Sequence, residues 1–306
     1  MIALDANHYS DHLDALSRRL RWILVVFCLT ASTSSLADFK PLSVPGGLAR
    51  IALPEGTKSA TFNGASVLVT RGEQRPIAWV GLPLALEPGS HVLDASGQAI
   101  SFEVSPKTYE TEHLTIPNRR KVNPLPMDYD RIGAERKEMD GVFQSFTARS
   151  LPERWQSPLS GRYSSSFGKR RVLNGQPRSP HSGLDIAAPE GTPVESIAAG
   201  RVAAVGDYFF NGQTVMVDHG QGLISMYCHL SEIDVSLGEE VTPDSVVGKV
   251  GKTGRVTGAH LHLSVSLNNA RVDPLLFFDA PEADLCLLYT SPSPRDATLS
   301  RMPSSA

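Results

Sequence analysis

Cysteine is scarce in this chain, with three residues in 306. Only Cys228 lies outside residues 1–37 and 286–306, so the main body of the chain cannot form an intramolecular disulfide. Basic residues are not in excess either. The formal net charge is -3, which gives no electrostatic footprint for a nucleic-acid partner.

Two sequence patterns that would indicate other protein classes are also missing. No internal repeat is evident, which argues against a repeat architecture. The stretch G-K-V-G-K-T at residues 248–253 is only superficially similar to a phosphate loop, because Val246 stands where that motif requires its first glycine. We therefore expect neither nucleic acid nor nucleotide as a ligand.

The first 37 residues have the three parts of a secretory signal peptide. A positive region ends at Arg21, an apolar run covers residues 22–29, and small residues lead to Ala37. The apolar run is shorter than the about 20 residues that span a bilayer, which disfavours an uncleaved membrane anchor. We expect residues 1–37 to be a signal peptide with an over-extended start, cleaved after Ala37, and the protein to be exported.

The segment 286–306 reads like translated sequencing adapter. Its first part, C-L-L-Y-T-S-P-S-P-R-D, is encoded residue for residue by the end of a transposase library adapter. A disordered tail rich in serine and proline is the alternative. We expect adapter read-through, which means that residues 286–306 are not natural sequence.

Between these ends the chain divides into three parts. Residues 38–105 alternate short apolar runs with turn signals, which predicts a small β-sandwich-like module. Residues 106–157 are interpreted as a linker with one helix, near residues 130–146, packed against the following domain. Residues 158–285 return to short strands separated by glycine turns, and the fold class is therefore mainly β. The strands predicted there cover residues 201–205, 214–218, 223–229, 246–250 and 260–267.

Two histidines lie in the last of these strands, as H-L-H at residues 260–262. Alternate side chains of a strand share a face, so His260 and His262 should point to one side, roughly 7 Å apart. Ser264 and Ser266 continue that face, and leucines and valines supply the other. The pattern predicts a cleft floor above a hydrophobic core, with two solvated histidines as the alternative.

A second cluster, H-S-G-L-D at residues 181–185, offers His181 and Asp185. Gly183 permits a tight local path between them. Catalytic zinc usually takes three ligands from His, Asp or Glu and keeps a fourth position for water. The two clusters together can supply such a set, although the second is weak on its own because His and Asp are common in surface loops.

A third element, Y-C-H at residues 227–229, ends an apolar strand. Strand alternation puts Tyr227 and His229 on one face and Cys228 on the other. His229 can then reach the cleft, whereas Cys228 is interpreted as a structural thiol rather than a nucleophile. The other histidines outside the first 37 residues are interpreted as structural, with His219 in a turn: His91, His113 and His219.

Five motifs follow one another in a fixed order: F-G at 167–168, H-S-G-L-D-I-A-A-P-E-G-T-P-V at 181–194, A-G-R-V at 199–202, Y-C-H-L at 227–230 and G-K-T-G-R-V-T-G-A-H-L-H-L at 251–263. Together they closely resemble the lysostaphin-like zinc endopeptidases of bacterial cell walls, over residues 158–278. Residues 38–105 resemble, less closely, the N-terminal module of some Gram-negative members. Two departures from the family pattern, Cys228 and Ala259, touch no ligand position.

The resemblance implies a C-terminal domain built as an antiparallel β-sheet groove that is open to an extended peptide. It implies one zinc ion on His181, Asp185 and His262, with His229 and His260 as the two catalytic histidines. A neutral histidine with a pKa near 6.5 can act as a general base. We expect His260 to be that base and His229 to stabilise the oxyanion, although the two roles can be exchanged.

The function expected from the resemblance is a zinc-dependent endopeptidase that hydrolyses peptide cross-links of bacterial peptidoglycan during wall remodelling. In a Gram-negative periplasm the cleaved bond is expected to be D-alanyl–diaminopimelate, and the partners are stem peptides. The alternative is a non-catalytic groove-binding regulator of another wall hydrolase, which would have no need of an intact ligand set. Residues 169–179 are expected to tune specificity, and inhibition of the groove by the N-terminal module or linker stays open.

Overall fold

The structure is a computed structural model that describes residues 39–279, and these residues belong to one compact unit. The predicted signal peptide and the predicted adapter segment lie outside the described residues. Within the described range the chain is mainly β, as expected.

The N-terminal module is a six-stranded antiparallel sheet in the order β1-β4-β3-β2-β5-β6. Its apolar side chains alternate with exposed ones along the strands, and the buried members form a local core that includes Leu53, Val80 and Leu93. The strands are β1 (Leu48–Ala52), β2 (Ala60–Phe62), β3 (Ala65–Arg71), β4 (Pro76–Gly81), β5 (Gly89–Ala95) and β6 (Gln98–Val104).

The linker contains the predicted helix, α1 (Tyr129–Phe143). It also contains a strand that the sequence did not predict, β7 (Thr111–Leu114), and two short 3₁₀ helices, Arg119–Lys121 and Pro126–Asp128. The linker is therefore more regular than expected.

The C-terminal region is built on an eight-stranded sheet in the order β17-β13-β14-β15-β19-β11-β8, with β20 paired to β19. A small sheet, β12-β18-β16, packs beside it, and β9 pairs with β10. A 3₁₀ helix, Pro274–Leu276, follows the last strand. The strands are β8 (Arg162–Ser165), β9 (Arg170–Leu173), β10 (Gln176–Pro177), β11 (Leu184–Ala187), β12 (Pro193–Glu195), β13 (Gly200–Tyr208), β14 (Gly212–Gly220), β15 (Leu223–Leu230), β16 (Glu232–Ile233), β17 (Glu240–Val241), β18 (Val246–Lys249), β19 (Leu261–Leu267) and β20 (Ala270–Val272).

Each of the five strands predicted in this region is present, with ends that differ by a few residues. His260 lies just before β19 and forms an isolated bridge with Gly251. The linker strand β7 pairs in parallel with β9, which brings the linker to the side of the main sheet that carries H-S-G-L-D.

One hydrophobic core joins the N-terminal module to the main sheet. The apolar side of β19, including Leu263 and Val265, is fully buried in it. The same core contains Phe39 and Trp79, whose rings lie 5.2 Å apart. Asn268 adds a polar link, since its side chain accepts from the Gly81 backbone N–H at 2.6 Å and donates to the Gly81 carbonyl at 3.0 Å. The two modules therefore depend on each other for burial.

Helix α1 packs on the opposite side of the main sheet, the side that carries His262. Phe143 lies in a buried cluster with Ile224, Met226 and Cys228 of β15. Strand β15 is paired with β19 so that Ile224 is opposite Ser266 and Cys228 is opposite His262. The helix thus covers the Ser266 end of this face, and a groove remains at the His262 end.

Candidate metal centre and catalytic groove

Three side chains from the two clusters converge at the end of β19. The Nε2 atom of His181 lies 2.9 Å from Oδ1 of Asp185, and Nδ1 of His262 lies 2.7 Å from the same oxygen. The two imidazole nitrogens are 3.0 Å apart. All three side chains are buried, so the structure places the predicted ligand atoms at one point.

Backbone pairing produces this convergence. Asp185 of β11 is directly opposite His262 of β19, and facing residues of an antiparallel pair present their side chains on the same side. Gly183 lets this segment of the chain approach β19 closely. A side chain at position 183 would lie 2.4 Å from the Leu263 carbonyl and 2.7 Å from the His262 ring, so only glycine fits there.

Hydrogen bonds fix the tautomer of His181. Its Nδ1 atom lies 2.8 Å from the Ser166 carbonyl oxygen, which can only accept. Nδ1 therefore carries the hydrogen, and in the neutral ring Nε2 presents a lone pair towards Asp185.

The tautomer of His262 is fixed in a similar way by Ser264. The Ser264 hydroxyl donates to the Ser182 carbonyl at 2.9 Å, so at 2.9 Å it accepts from Nε2 of His262. The lone pair of His262 is then on Nδ1, again facing Asp185. Ser264, predicted as part of the cleft floor, is instead fully buried beneath the ring.

The charge state of this trio matches the ligand set of a divalent cation. Burial lowers the pKa of His262 to about 4, which keeps the ring neutral. The Asp185 carboxyl is paired with the Arg171 guanidinium, whose Nη2 donates to Oδ2 at 2.7 Å, a contact that favours the ionised form. Two lone pairs and one carboxylate oxygen thus face one another at contact distance, an arrangement that a cation stabilises. The residues therefore fit a zinc ion.

His229 reaches the same groove, but not for the predicted reason. The alternation argument is wrong, because Cys228 faces the same side as His262 while Tyr227 points into the core beside Leu263. The pairing of β14 with β15 shifts register here, and His229 has a φ of +66°. This left-handed backbone in a bulge breaks the alternation and turns the ring towards the site.

His229 and His260 form a pair beside the trio, with ring centroids 4.9 Å apart. Each donates from Nδ1 to a carbonyl oxygen at 2.9 Å, His229 to Thr253 and His260 to Gly258. Each neutral ring therefore presents its Nε2 lone pair to the groove. Burial, followed by the neighbouring histidines, holds the pKa of His229 well below its usual value, whereas Nε2 of His260 lies 3.8 Å from Asp185.

Cys228 lies beneath the groove, although the sequence predicted that it points away. The thiol is fully buried and accepts from Nδ2 of Asn211 at 3.2 Å. Burial raises its pKa to about 12. Since only the thiolate is nucleophilic, the structure supports an inert thiol, as the sequence interpretation held.

His219 is also not where the sequence interpretation put it, in a turn. It lies within β14, fully buried, with Nδ1 2.8 Å from the Ala199 carbonyl and Nε2 2.8 Å from the Ser225 hydroxyl. Burial lowers its pKa to about 4. These partners give it a structural role.

Sequence reasoning missed the side chains that surround Asp185. Nη2 of Arg171 donates to Oδ2 of Asp185 at 2.7 Å, and Nε of Arg171 lies 3.7 Å from Glu112 of the linker strand β7. The Ser165 hydroxyl donates to the same Glu112 carboxylate at 2.9 Å. No local pattern marks these residues, because their partners are distant in sequence. Only the expectation that residues 169–179 tune specificity pointed to this region.

The groove has one further wall of note. The linker residues Glu112 and Leu114 line it together with His260, so the linker forms part of the groove. Among residues 39–279, no helix is both long and apolar enough to cross a membrane.

Two segments of the chain match known families. Residues 179–274 match the Peptidase family M23, and residues 42–107 match the Peptidase family M23 N-terminal domain. A solved structure described as a peptidase M23 from Pseudomonas aeruginosa is 44% identical, with a TM-score of 0.65. That match covers 80% of this chain and 98% of the other.

Two curated relatives carry more specific names. The Peptidoglycan DD-endopeptidase ShyA of Vibrio cholerae is 33% identical over 148 residues, which are 48% of this chain and 32% of that protein. The DD-carboxypeptidase/endopeptidase Mpg of Neisseria meningitidis is 37% identical over 126 residues, 40% of this chain and 29% of that protein. The matched region thus spans about a third of the length of these relatives.

Proposed function

We propose that this protein catalyses the zinc-dependent hydrolysis of peptide cross-links in bacterial peptidoglycan, at D-alanyl–diaminopimelate bonds. The chain belongs to peptidase family M23. The observation that carries the proposal is the convergence of His181, Asp185 and His262 on one point, with hydrogen bonds that direct their lone pairs inward. The names of the curated relatives support peptidoglycan as the substrate.

Zinc bound by His181, Asp185 and His262 would act as a Lewis acid towards the scissile carbonyl and lower the pKa of a bound water towards about 7. The chain's own residues then position and move the proton. Oδ2 of Asp185, which faces away from His181 and His262, is held by Arg171. This hydrogen bond fixes the orientation of the carboxylate, and Ser166 and Ser264 do the same for the two imidazoles.

His260 is the proposed general base. Its neutral Nε2 can take a proton from water as the water oxygen bonds to the carbonyl carbon. The resulting imidazolium lies 3.8 Å from the Asp185 carboxylate. The same proton then passes to the amide nitrogen as the C–N bond breaks, which leaves a carboxylic acid and an amine. Transfer of the acid proton to the amine gives the carboxylate and ammonium products.

His229 is proposed to assist at the same carbonyl. Its hydrogen bond to Thr253 leaves Nε2 without a proton in the neutral ring, and burial disfavours the charged form. It can therefore orient the attacking water by accepting its second hydrogen, and it would stabilise the oxyanion only after gaining a proton. We therefore assign the general base to His260 rather than to His229.

Export to a Gram-negative periplasm is part of the proposal, because cross-linked peptidoglycan lies there. The test uses the chain that begins at residue 38 and ends at residue 285. Digestion of purified cross-linked muropeptides should require stoichiometric zinc. The variant His262→Ala should lose both the bound zinc and the cleavage. Stoichiometric zinc without any cleavage would instead favour the regulator, and no zinc would contradict the metal site.

A further inference from the structure

Three arginine side chains converge on one cleft beside the proposed ligands: Arg171, Arg178 and Arg255. The cleft has a volume of about 220 Å³. It is bordered on the other side by three imidazoles, those of His181, His229 and His262. A substrate group in this cleft is therefore next to the site of hydrolysis.

Among the described residues, Arg171 alone of the three guanidinium groups has carboxylate partners, Asp185 and Glu112. Arg178 donates to neutral acceptors only among the described residues: the Pro177 and Val122 carbonyl oxygens at 3.0 and 3.1 Å, and the Gln176 and Asn123 side-chain oxygens at 2.5 and 2.9 Å. Its charge is thus held in place without being neutralised.

Arg255 is positioned by contacts with Phe210. Its backbone N–H donates to the Phe210 carbonyl at 2.9 Å, and its guanidinium lies 4.7 Å from the Phe210 ring centroid. Within residues 39–279, that guanidinium has no hydrogen-bond or ion-pair partner. Burial, together with the charges of Arg171 and Arg178, lowers its pKa to about 10, so it remains charged at neutral pH.

The cleft consequently has more positive charge than its acidic residues can balance. Asp185 is committed to the proposed metal, and Glu112 accepts from Ser165 and lies 3.5 Å from Lys169. Within the part of the chain that the structure describes, two cations, Arg178 and Arg255, remain without an anion in a partly desolvated cleft. A planar guanidinium binds a carboxylate through paired, charge-assisted hydrogen bonds.

We propose that Arg255 and Arg178 bind a substrate carboxylate that is attached to the carbon next to the scissile amide nitrogen. The inference rests on the proposed function, and it adds a specificity site to it. In a D-alanyl–diaminopimelate cross-link, the carbon on the amine side of the scissile bond carries such a free carboxylate. The proposal places the amide at His260 and His229 with its amine side towards the arginine cleft, which His229 also lines.

The test compares two synthetic cross-linked muropeptides that differ only in this carboxylate, which is free in one and amidated in the other. The zinc-loaded protein should have a kcat/KM about tenfold or more higher for the free acid, mainly through a lower KM. Arg255→Gln should bring the ratio towards one. Arg255→Lys, which keeps the charge but not the planar fork, should give an intermediate ratio.

Arg170→Gln is the matched control. Arg170 precedes Arg171 on β9 and is exposed, and neighbouring side chains of a strand point to opposite faces. It should keep the wild-type ratio. Equal kcat/KM values of the wild-type protein for the two peptides, or an unchanged ratio in Arg255→Gln, would overturn the inference while leaving the hydrolytic function intact.

Binding distinguishes a failure of the inference from a failure of the proposed function. Calorimetric titration with the two amine-side product peptides measures the arginines without turnover. The free acid should bind about tenfold or more tightly than the amide, and Arg255→Gln should remove that difference. Equal Kd values overturn the inference, even if neither cross-linked peptide is cleaved.

Discussion

Arg171 and Asp185 form an ion pair in which Nη2 donates to Oδ2 at 2.7 Å, and Oδ1 of the same carboxylate faces His181 and His262. The arginine thus engages the oxygen that the proposed metal does not need. Groups that orient metal ligands in this way commonly change affinity by 10–100-fold when removed.

The first prediction follows from this pair. Arg171→Met removes the hydrogen bond and keeps the aliphatic stem, so the Asp185 carboxylate can rotate. Zinc affinity should fall about 10–100-fold, measured by competition with a chelator of known affinity. Arg170→Met on the exposed side of the same strand should bind zinc like the wild-type chain. An unchanged Kd in Arg171→Met would show that Arg171 does not position the ligand.

The second prediction separates the ligands from the two catalytic histidines. His260→Ala should keep stoichiometric zinc and lose about 10²–10⁴ in kcat, the usual contribution of a general base. His229→Ala should also keep its zinc but lose less activity. Metal content and single-turnover rates of both variants check this, and a larger loss in His229→Ala would exchange the two roles.

Much of this site follows from residue types and spacing. The strands and α1 were predictable because apolar periodicity and turn residues mark them, and the proposed ligands were recognisable from five motifs in order. Strand alternation failed at Tyr227, Cys228 and His229, because it assumes regular backbone. A bulge with a left-handed residue at His229 changes which side chains face the groove, and no local pattern reveals it.

The sequence also did not predict the charged contacts around the site. Arg171 meets Glu112 and Asp185 only after the linker strand β7 pairs with β9. Arg255 gains its place from the Phe210 backbone and ring. Such contacts depend on how distant segments pack. In the sequence alone, nothing distinguishes these arginines from exposed arginines.

The third prediction concerns Cys228. With a pKa of about 12, the thiol is ionised to about one part in ten thousand at pH 8. Cys228→Ala should therefore keep kcat/KM within about twofold, at a cost of about 1 kcal/mol in the free energy of unfolding. Peptide mass spectrometry should show no alkylation of Cys228 by iodoacetamide in the folded protein, and rapid alkylation with loss of activity would contradict its burial.

The fourth prediction concerns His219 and pH. The folded-state pKa is about 4 and the unfolded value is about 6.5, so between these values the unfolded chain binds more protons and stability falls as pH falls. Lowering the pH from 7.5 to 5 should therefore reduce the free energy of unfolding by about 2 kcal/mol through His219.

His219→Gln should lack this contribution. It should be less stable than wild type at pH 7.5, because a hydrogen-bonded buried group is lost, and less sensitive to acid by about 2 kcal/mol. Urea unfolding at the two pH values measures both effects, and the other buried histidines cancel in the comparison. Parallel pH curves for the two proteins would mean that His219 is not held neutral.

The proposed hydrolysis can be tested by identifying the bond that is cleaved and the source of the oxygen in the new carboxylate. A purified D-alanyl–diaminopimelate dimer is incubated in H₂¹⁸O with the zinc-loaded chain and with His262→Ala, and the products are sequenced by tandem mass spectrometry. We predict monomers in which a single ¹⁸O lies in the new D-alanyl carboxylate, and none from the variant. Absence of cleavage by the zinc-loaded chain, or cleavage at another bond, would contradict the account.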